Sequence, residues 1–344
     1  MKTAYKVLLV WMVFISPDVR CQPGGSDQLF GEGIAAKRFY ASAVDNDNVV
    51  WFLTEAGIVS FNGRDWLLHD QTPGFSGIDL KDVDYGGSED RHELWFAGPD
   101  GATVIVTPFN SASEVITYSP DNSRLNGRNV LAVAVSNMGM RWFGTDKGIS
   151  AFEGRNWLIN NYTDIYPDDF FQYYPLTTLA TTNSGDTLYA GTLGGGVTRF
   201  YKNEVDAVSG ASEYAVWGPI LIPSDTVNSL YIARDGTQWI GTNKGVARHT
   251  GKNTLEGWAI FDSKAGLADD NVQAINSDTK GNLYFGTKNG LSVFDGINLT
   301  TYRIENGLAS NNILTIAVDK NNIVWLGTDN GVTCIKNGEF IRYR

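Results

Sequence analysis

The sequence predicts an all-β chain folded as a single seven-bladed β-propeller of four-stranded blades. Three observations predict it. One short phrase, an aromatic residue followed by a small residue and a glycine turn, recurs seven times. The copies are spaced by roughly 41 to 50 residues, the interval of a four-stranded blade. Between them run short apolar or alternating segments punctuated by Asp, Asn and Gly, and no stretch holds a helical period with caps.

In chain order the copies are WFLTEAGIVSF from Trp51, WFAGPDGATVI from Trp95, WFGTDKGISAF from Trp142 and YAGTLGGGVTRF from Tyr189. WIGTNKGVARH from Trp239, YFGTKNGLSVF from Tyr284 and WLGTDNGVTCI from Trp325 follow. Each is read as the second strand of a blade, a hairpin and the third strand. Runs such as ILTIAVDKNN and LYIARDGT supply first strands, and FIRY or NWLIN supply fourth strands. A blade lies between two neighbours, so both faces of its second strand are buried and both parities need apolar side chains. Trp325 and Gly327 fall on one face, Leu326 and Thr328 on the other. A large ring beside a glycine makes a bump and a hollow that the next blade can fill. The glycines after the turn, Gly148, Gly245, Gly290 and Gly331, suit a positive φ at a tight hairpin. The seven rings are accordingly read as structural. The final repeat supplies its own outer strand at 340–343, and residues 27–30 (DQLF) are placed to add to it.

The chain has 344 residues and a formal net charge of −11, with no Lys/Arg cluster to track a phosphate backbone, which argues against a nucleic-acid partner. Lys2 and Lys6 lead into an apolar run at 7–15, too short to span a bilayer, so residues 1–21 read as an export signal and 22–344 as the propeller. The rival reading, acylation of Cys21, needs a lipobox that Asp18-Val19-Arg20 fits badly. Cys334, in the apolar run GVTCIK, is read as a small core residue. No later segment is long enough to cross a membrane, and the mature chain is expected in the periplasm or at the cell surface.

The repeats resemble those of the two-component regulator propeller family, found in extracytoplasmic sensor regions of Bacteroidota hybrid histidine kinases. The resemblance rests on ARDGTQWIGTNKG at 233–245, set against D-x-x-G-x-x-W-x-G-T-x-x-G. It rests equally on the N-G-L-x-x-N element, seen as ENGLASNN at 305–312 and KAGLADDN at 264–271. It covers nearly all of 22–344, implies a propeller, and says little about a ligand. Those sensors carry two propellers, a further β-domain, a membrane helix and a kinase, whereas this sequence ends at Arg344. A sensing role is therefore expected to act through a separate signalling protein.

No catalytic residue, metal or cofactor is expected. His69, His92 and His249 lie in three repeats without metal-ligand spacing. TLGGG at 192–196 lacks the Lys-Ser/Thr of a phosphate loop and reads as a hairpin. RDGTQW and DTKGNLYF are similar to the Asp turn of sialidase propellers, as turn chemistry only. DTL at 186–188 and DTV at 225–227 resemble short Bacteroidota O-glycosylation sites. Asp168, Asp169, Asp269 and Asp270 are the carboxylates a glycosidase would need, but sequence neighbours point apart and solvated loop charge accounts for them.

The irregular connection DIYPDDFFQYYPLTT at 164–178 replaces the N-G-L-x-x-N element between the third and fourth copies. It brings Tyr166, Asp168, Asp169, Phe170, Phe171, Tyr173 and Tyr174 to the face of the TDKG-type hairpins. A second insertion, 205–223, carries Tyr214 and Trp217. These rings either plug the channel mouth or form a stacking platform for a sugar or a partner's side chains. The expected function is an exported, non-enzymatic binding module, a subunit of an outer-membrane or cell-surface protein complex of secretion, motility or glycan-uptake type. The alternatives are a carbohydrate-binding or carbohydrate-active propeller, or a ligand-sensing one.

Overall fold

The computed structural model describes residues 27–30, 34–69, 79–88, 91–106, 113–154, 156–160, 173–202, 207–210, 221–251 and 257–344. Seven antiparallel sheets follow one another along the chain, one per repeat. Blade 1 is Phe39–Val44, Val50–Thr54, Gly57–Phe61 and Trp66–Leu68; blade 2 is Asp82–Ser88, Arg91–Gly98, Gly101–Val106 and Val115–Tyr118. Blade 3 is Val130–Val135, Met140–Thr145, Gly148–Glu153 and Asn156–Trp157; blade 4 is Leu176–Thr181, Thr187–Thr192, Val197–Lys202 and Ala207–Gly210. Blade 5 is Val227–Ile232, Gln238–Thr242, Gly245–His249 and Trp258–Phe261; blade 6 is Val272–Ser277, Leu283–Thr287, Gly290–Phe294 and Leu299–Tyr302. Blade 7 is Ile313–Val318, Val324–Thr328, Gly331–Lys336 and Glu339–Tyr343.

The core is divided into seven clusters, each lying between two adjacent blades rather than inside one. Trp95 of blade 2 packs with Phe143 and Phe152 of blade 3, and Trp325 of blade 7 with Phe61 and Trp66 of blade 1. Second strands such as Val324–Thr328 are buried at every position, as a strand covered on both faces must be. The bump-and-hollow fit is literal. A Cβ on Gly286 would lie 2.6 Å from Ile313 Cγ2 in the next blade, and one on Gly327 would lie 2.7 Å from the Phe39 carbonyl oxygen.

Closure joins blade 7 to blade 1. Gly331 N–H donates to the Lys37 carbonyl at 2.7 Å, and the Ser42 and Thr315 hydroxyls hydrogen-bond at 2.7 Å. Asp27–Gln28 adds a parallel fifth strand to Glu339–Tyr343, and Phe30 packs against Phe39, Trp66 and Tyr343. One element differs from the sequence reading. NWLIN is not a single outer strand: Asn156–Trp157 ends blade 3, and Ile159–Asn160 crosses over to pair in parallel with Ala207–Gly210 of blade 4. Buried Leu158 sits between the two halves and turns the chain inward, its N–H bonded to the Ala151 carbonyl.

Candidate functional site

The polar tips of the seven rings are mostly consumed by structure. Trp51 Nε1 donates to Asp45 Oδ2 at 2.8 Å, Trp95 Nε1 to Glu93 Oε2 at 2.7 Å and Trp325 Nε1 to Asp319 Oδ2 at 3.2 Å. Tyr284 donates to Asp278 Oδ2 at 3.1 Å, and Trp142 Nε1 to the Gly185 carbonyl at 2.8 Å. Gln238 Nε2 donates to the Tyr189 hydroxyl at 2.9 Å. Each anchoring aspartate stands six residues before its ring and also accepts the N–H groups of its own turn, as Asp319 does from Asn321 and Ile323. The threonine of the phrase locks the opposite hairpin: Thr328 donates to the Gly331 carbonyl at 2.7 Å and accepts from Asn330 N–H at 3.0 Å. Thr54, Thr145, Thr192, Thr242 and Thr287 make the same bond. Neither role was read from the sequence, although the fixed spacing of aspartate, ring and threonine signals both.

Those hairpins and the connections into the first strands share one face. Gly245 N–H donates to the Asp270 carbonyl and Gly290 N–H to the Asn311 carbonyl, at 2.6 and 2.7 Å. In blade 4 the irregular connection takes this place. Tyr174 lies on the TLGGG hairpin so closely that a Cβ on Gly195 would be 2.8 Å from its ring, which explains a glycine there. Leu193 N–H donates to the Pro175 carbonyl at 2.8 Å, and Gly194 and Gly196 N–H groups donate to the Asp225 carbonyl. Tyr173, Tyr174 and Leu193 are exposed, by 72%, 39% and 52%, and stand together on this face. Leu193 was not singled out in the sequence. Tyr166, Asp168, Asp169, Phe170, Phe171, Tyr214 and Trp217 lie outside the described residues, as does the segment 1–21.

All seven first strands line a central channel of about 430 Å³. Among the described residues, polar side chains clip the first strand to that of the next blade at five of the seven seams, Ser42–Thr315 being one. Asp82 and Asp84 of blade 2 accept the Val133 and Val135 N–H groups of blade 3 at 3.1 and 2.7 Å. Thr177 donates to the Val227 carbonyl, Asn228 to Val272, Gln273 to Ile313 and Asn276 to Ile316. A β-bulge opens six of the seven strands, blade 2 being the exception, and in blades 4, 5 and 6 the residue it sets out of register is Thr177, Asn228 or Gln273. Burial pushes the Asp82 carboxyl up to about 6 and that of Asp84 up to about 7, against the lowering effect of the N–H bonds they accept.

The histidines have structural surroundings. His69 packs tilted against Trp51, ring centroids 5.0 Å apart, and bonds the Ser60 hydroxyl at 2.8 Å, and burial pulls it down to about 4. His249 stacks on Trp258 with centroids 4.1 Å apart, and His92 lies beside Tyr85. Asp269 accepts from Asn271 N–H and Asp270 from Ser263 N–H, so both shape the connection into blade 6. Among the described residues no group of three His, Cys, Asp or Glu is placed to hold a metal ion. No helix among them is long and apolar enough to cross a membrane.

Residues 307–330 match the family model described as two component regulator propeller. No curated protein matches the chain. Among solved structures, the extracellular domain assigned to a hybrid two component system of B. thetaiotaomicron is 19% identical with a TM-score of 0.66. The match covers 88% of this chain and 39% of that one. A domain assigned to a one component system of the same organism is 19% identical with a TM-score of 0.62, covering 92% and 40%. A streptogramin B lyase structure is 14% identical with a TM-score of 0.63, covering 89% and 95%. The chain thus spans about two fifths of the length of the two extracellular domains. At these identities the likeness is one of fold.

Proposed function

We propose that this chain, a seven-bladed member of the two component regulator propeller family, is an exported binding module that works through its hairpin face rather than through catalysis. The observation that carries the reading is the exposed group Tyr173, Tyr174 and Leu193, set where an irregular connection enters blade 4 in place of the N-G-L-x-x-N element. On that face the connections into blades 6 and 7 are held to the neighbouring hairpins by the Gly245 and Gly290 N–H groups. Rigidly seated aromatic rings at a surface are the residues on which binding energy concentrates. The partner class is a protein of an outer-membrane or cell-surface complex, with a glycan as the second ligand class. The histidines and paired acids of the described residues are engaged in turns and stacking, which supports a non-enzymatic role.

The test replaces Tyr173, Tyr174 and Leu193 with Ser. The variant should melt near the parent, since these positions lie outside the blade interfaces, and should lose stoichiometric retention of an outer-membrane partner and of immobilised glycans. Trp142→Ala is the control, losing retention only by unfolding. Undiminished retention by the triple variant, or turnover of a glycan by the pure protein, overturns the reading.

A further inference from the structure

Blade 5 departs from blades 1, 6 and 7 at two positions that meet. In blades 1, 6 and 7 the residue six places before the ring is Asp45, Asp278 or Asp319, and its carboxylate accepts the ring's polar hydrogen. In blade 5 that residue is Ala233. The residue paired with the ring across the hairpin is Ser60, Val293 or Cys334 in those blades and Arg248 in blade 5. At Trp239 a carboxylate is lost and a guanidinium gained; Tyr189 of blade 4 shows the same exchange, with Asn183 six places before it and Arg199 across the hairpin, but its hydroxyl accepts from Gln238 Nε2. Arg248 Cζ lies 6.0 Å from the Trp239 ring centroid, and its buried Nε has no hydrogen-bond partner. Among the described residues neither the Arg248 guanidinium nor the Trp239 indole N–H makes a hydrogen bond or ion pair.

Around them, between blades 5 and 6, lies a cavity of about 490 Å³ walled by Ala233, Trp239, Arg248, Thr250, Leu283 and Phe294. The molecule holds its own comparison. At the equivalent place between blades 7 and 1, Asp319, Trp325, Cys334, Lys336, Val50 and Phe61 enclose only about 150 Å³. The two acids at the larger cavity do not pair with Arg248. Asp278 is taken up by Lys280 and Asn282 N–H, Asn282 Nδ2 and the Tyr284 hydroxyl, and Asp235 by Thr237 N–H.

We infer that this cavity binds a small carboxylate ligand, of the sugar-acid class. A ligand carboxylate reaching the position that Asp319 fills in blade 7 would accept from Trp239 Nε1 and from the guanidinium fork of Arg248. Leu283, Phe294 and the edge of Trp239 offer an apolar wall for one face of a sugar ring, and Thr250 and Thr279 offer hydroxyl partners for its rim. The volume is that of a small-molecule site. The cavity is bounded by the turns after first and third strands, on the face opposite Tyr173 and Tyr174, so the inference does not rest on the reading of the hairpin face.

The experiment titrates the full chain with glucuronate and galacturonate, following tryptophan fluorescence and heat, with glucose, acetate and sulfate alongside. At least one uronate should bind, with glucose and acetate each weaker by about tenfold or more. Ala233→Asp installs the blade 7 arrangement and should weaken the uronate by about tenfold or more while the melting temperature holds or rises. Arg248→Met should weaken it as much, and it carries the test if Ala233→Asp folds poorly. Failure of both uronates to bind, glucose binding as tightly, sulfate binding as tightly, or unchanged affinity in a folded Ala233→Asp protein would each overturn the assignment.

Discussion

Glu93 and Arg141 form a buried ion pair across the interface of blades 2 and 3, with Nη2 2.6 Å from Oε2. The same carboxylate oxygen accepts Trp95 Nε1 at 2.7 Å and Arg141 Nε at 2.8 Å, and Arg91 reaches the other oxygen. Blade 2 lacks the aspartate that holds the ring from its own turn, and Glu93 replaces it from the second strand. Removing either partner strands a buried charge, so Glu93→Leu and Arg141→Met should each cost on the order of 3–5 kcal/mol, and the double variant much less than the sum. Denaturant unfolding of the cycle checks this. Additive losses would mean that the pair is not coupled.

Gly286 should be intolerant of a single methyl. Its backbone is not left-handed, so the cost of Gly286→Ala is steric, from contact with Ile313 Cγ2 at 2.6 Å. A loss of about 1–3 kcal/mol is expected. Combining it with Ile313→Ala should cost less than the two changes separately, because the second removes the clashing atom. Equal costs with and without Ile313→Ala would place the penalty elsewhere.

Closure through the N-terminal strand predicts that Phe30→Ala destabilises the whole ring. Phe30 lies edge-on to Trp66 at 4.9 Å and stacks on Phe39 at 5.2 Å. Partly buried, it should contribute about 2–3 kcal/mol, below the range of a fully buried Phe. Thermal melting should show one transition shifted downward. An unshifted melt would mean that blade 7 closes without it.

Acidity should act on stability in two opposing ways. His69, held at about 4 when folded and near 6.5 when unfolded, takes up its proton more readily in the unfolded chain. Its contribution is therefore present above about 6.5 and lost as pH falls toward 4. Asp82 and Asp84, raised to about 6 and about 7, hold protons in the folded state that the unfolded chain releases near 3.8. They cost stability progressively as pH rises from about 4 to 7. His69→Gln should flatten the acid-side loss, and Asp84→Asn should gain on the parent more at pH 8 than at pH 5. Unfolding curves across pH 4 to 8 decide it, and an Asp84→Asn curve parallel to the parent's contradicts the argument.

What repeats is legible in the chain's periodicity: seven rings at blade spacing, turns where Gly and Asp demand them, and second strands apolar at both parities. These are local properties, set by periodicity and turn chemistry within some ten residues. Blade count, strand order and the burial of Trp325 beside Gly327 follow from them. What each repeat does differently was decided in three dimensions. Where a ring finds its acceptor differs from blade to blade: a carboxylate six residues before it, as with Asp319, one two residues before it, as with Glu93, or the next blade's backbone carbonyl at Gly185. The pairing of Ser42 with Thr315, the crossing of Ile159–Asn160 into blade 4, and the meeting of Leu193 with Pro175 join residues that no spacing rule links. The cavity at Trp239 arises because Ala233, Arg248 and Leu283, unremarkable in three separate strings, converge where blade 5 faces blade 6, and only the packing of one blade on the next brings those faces together.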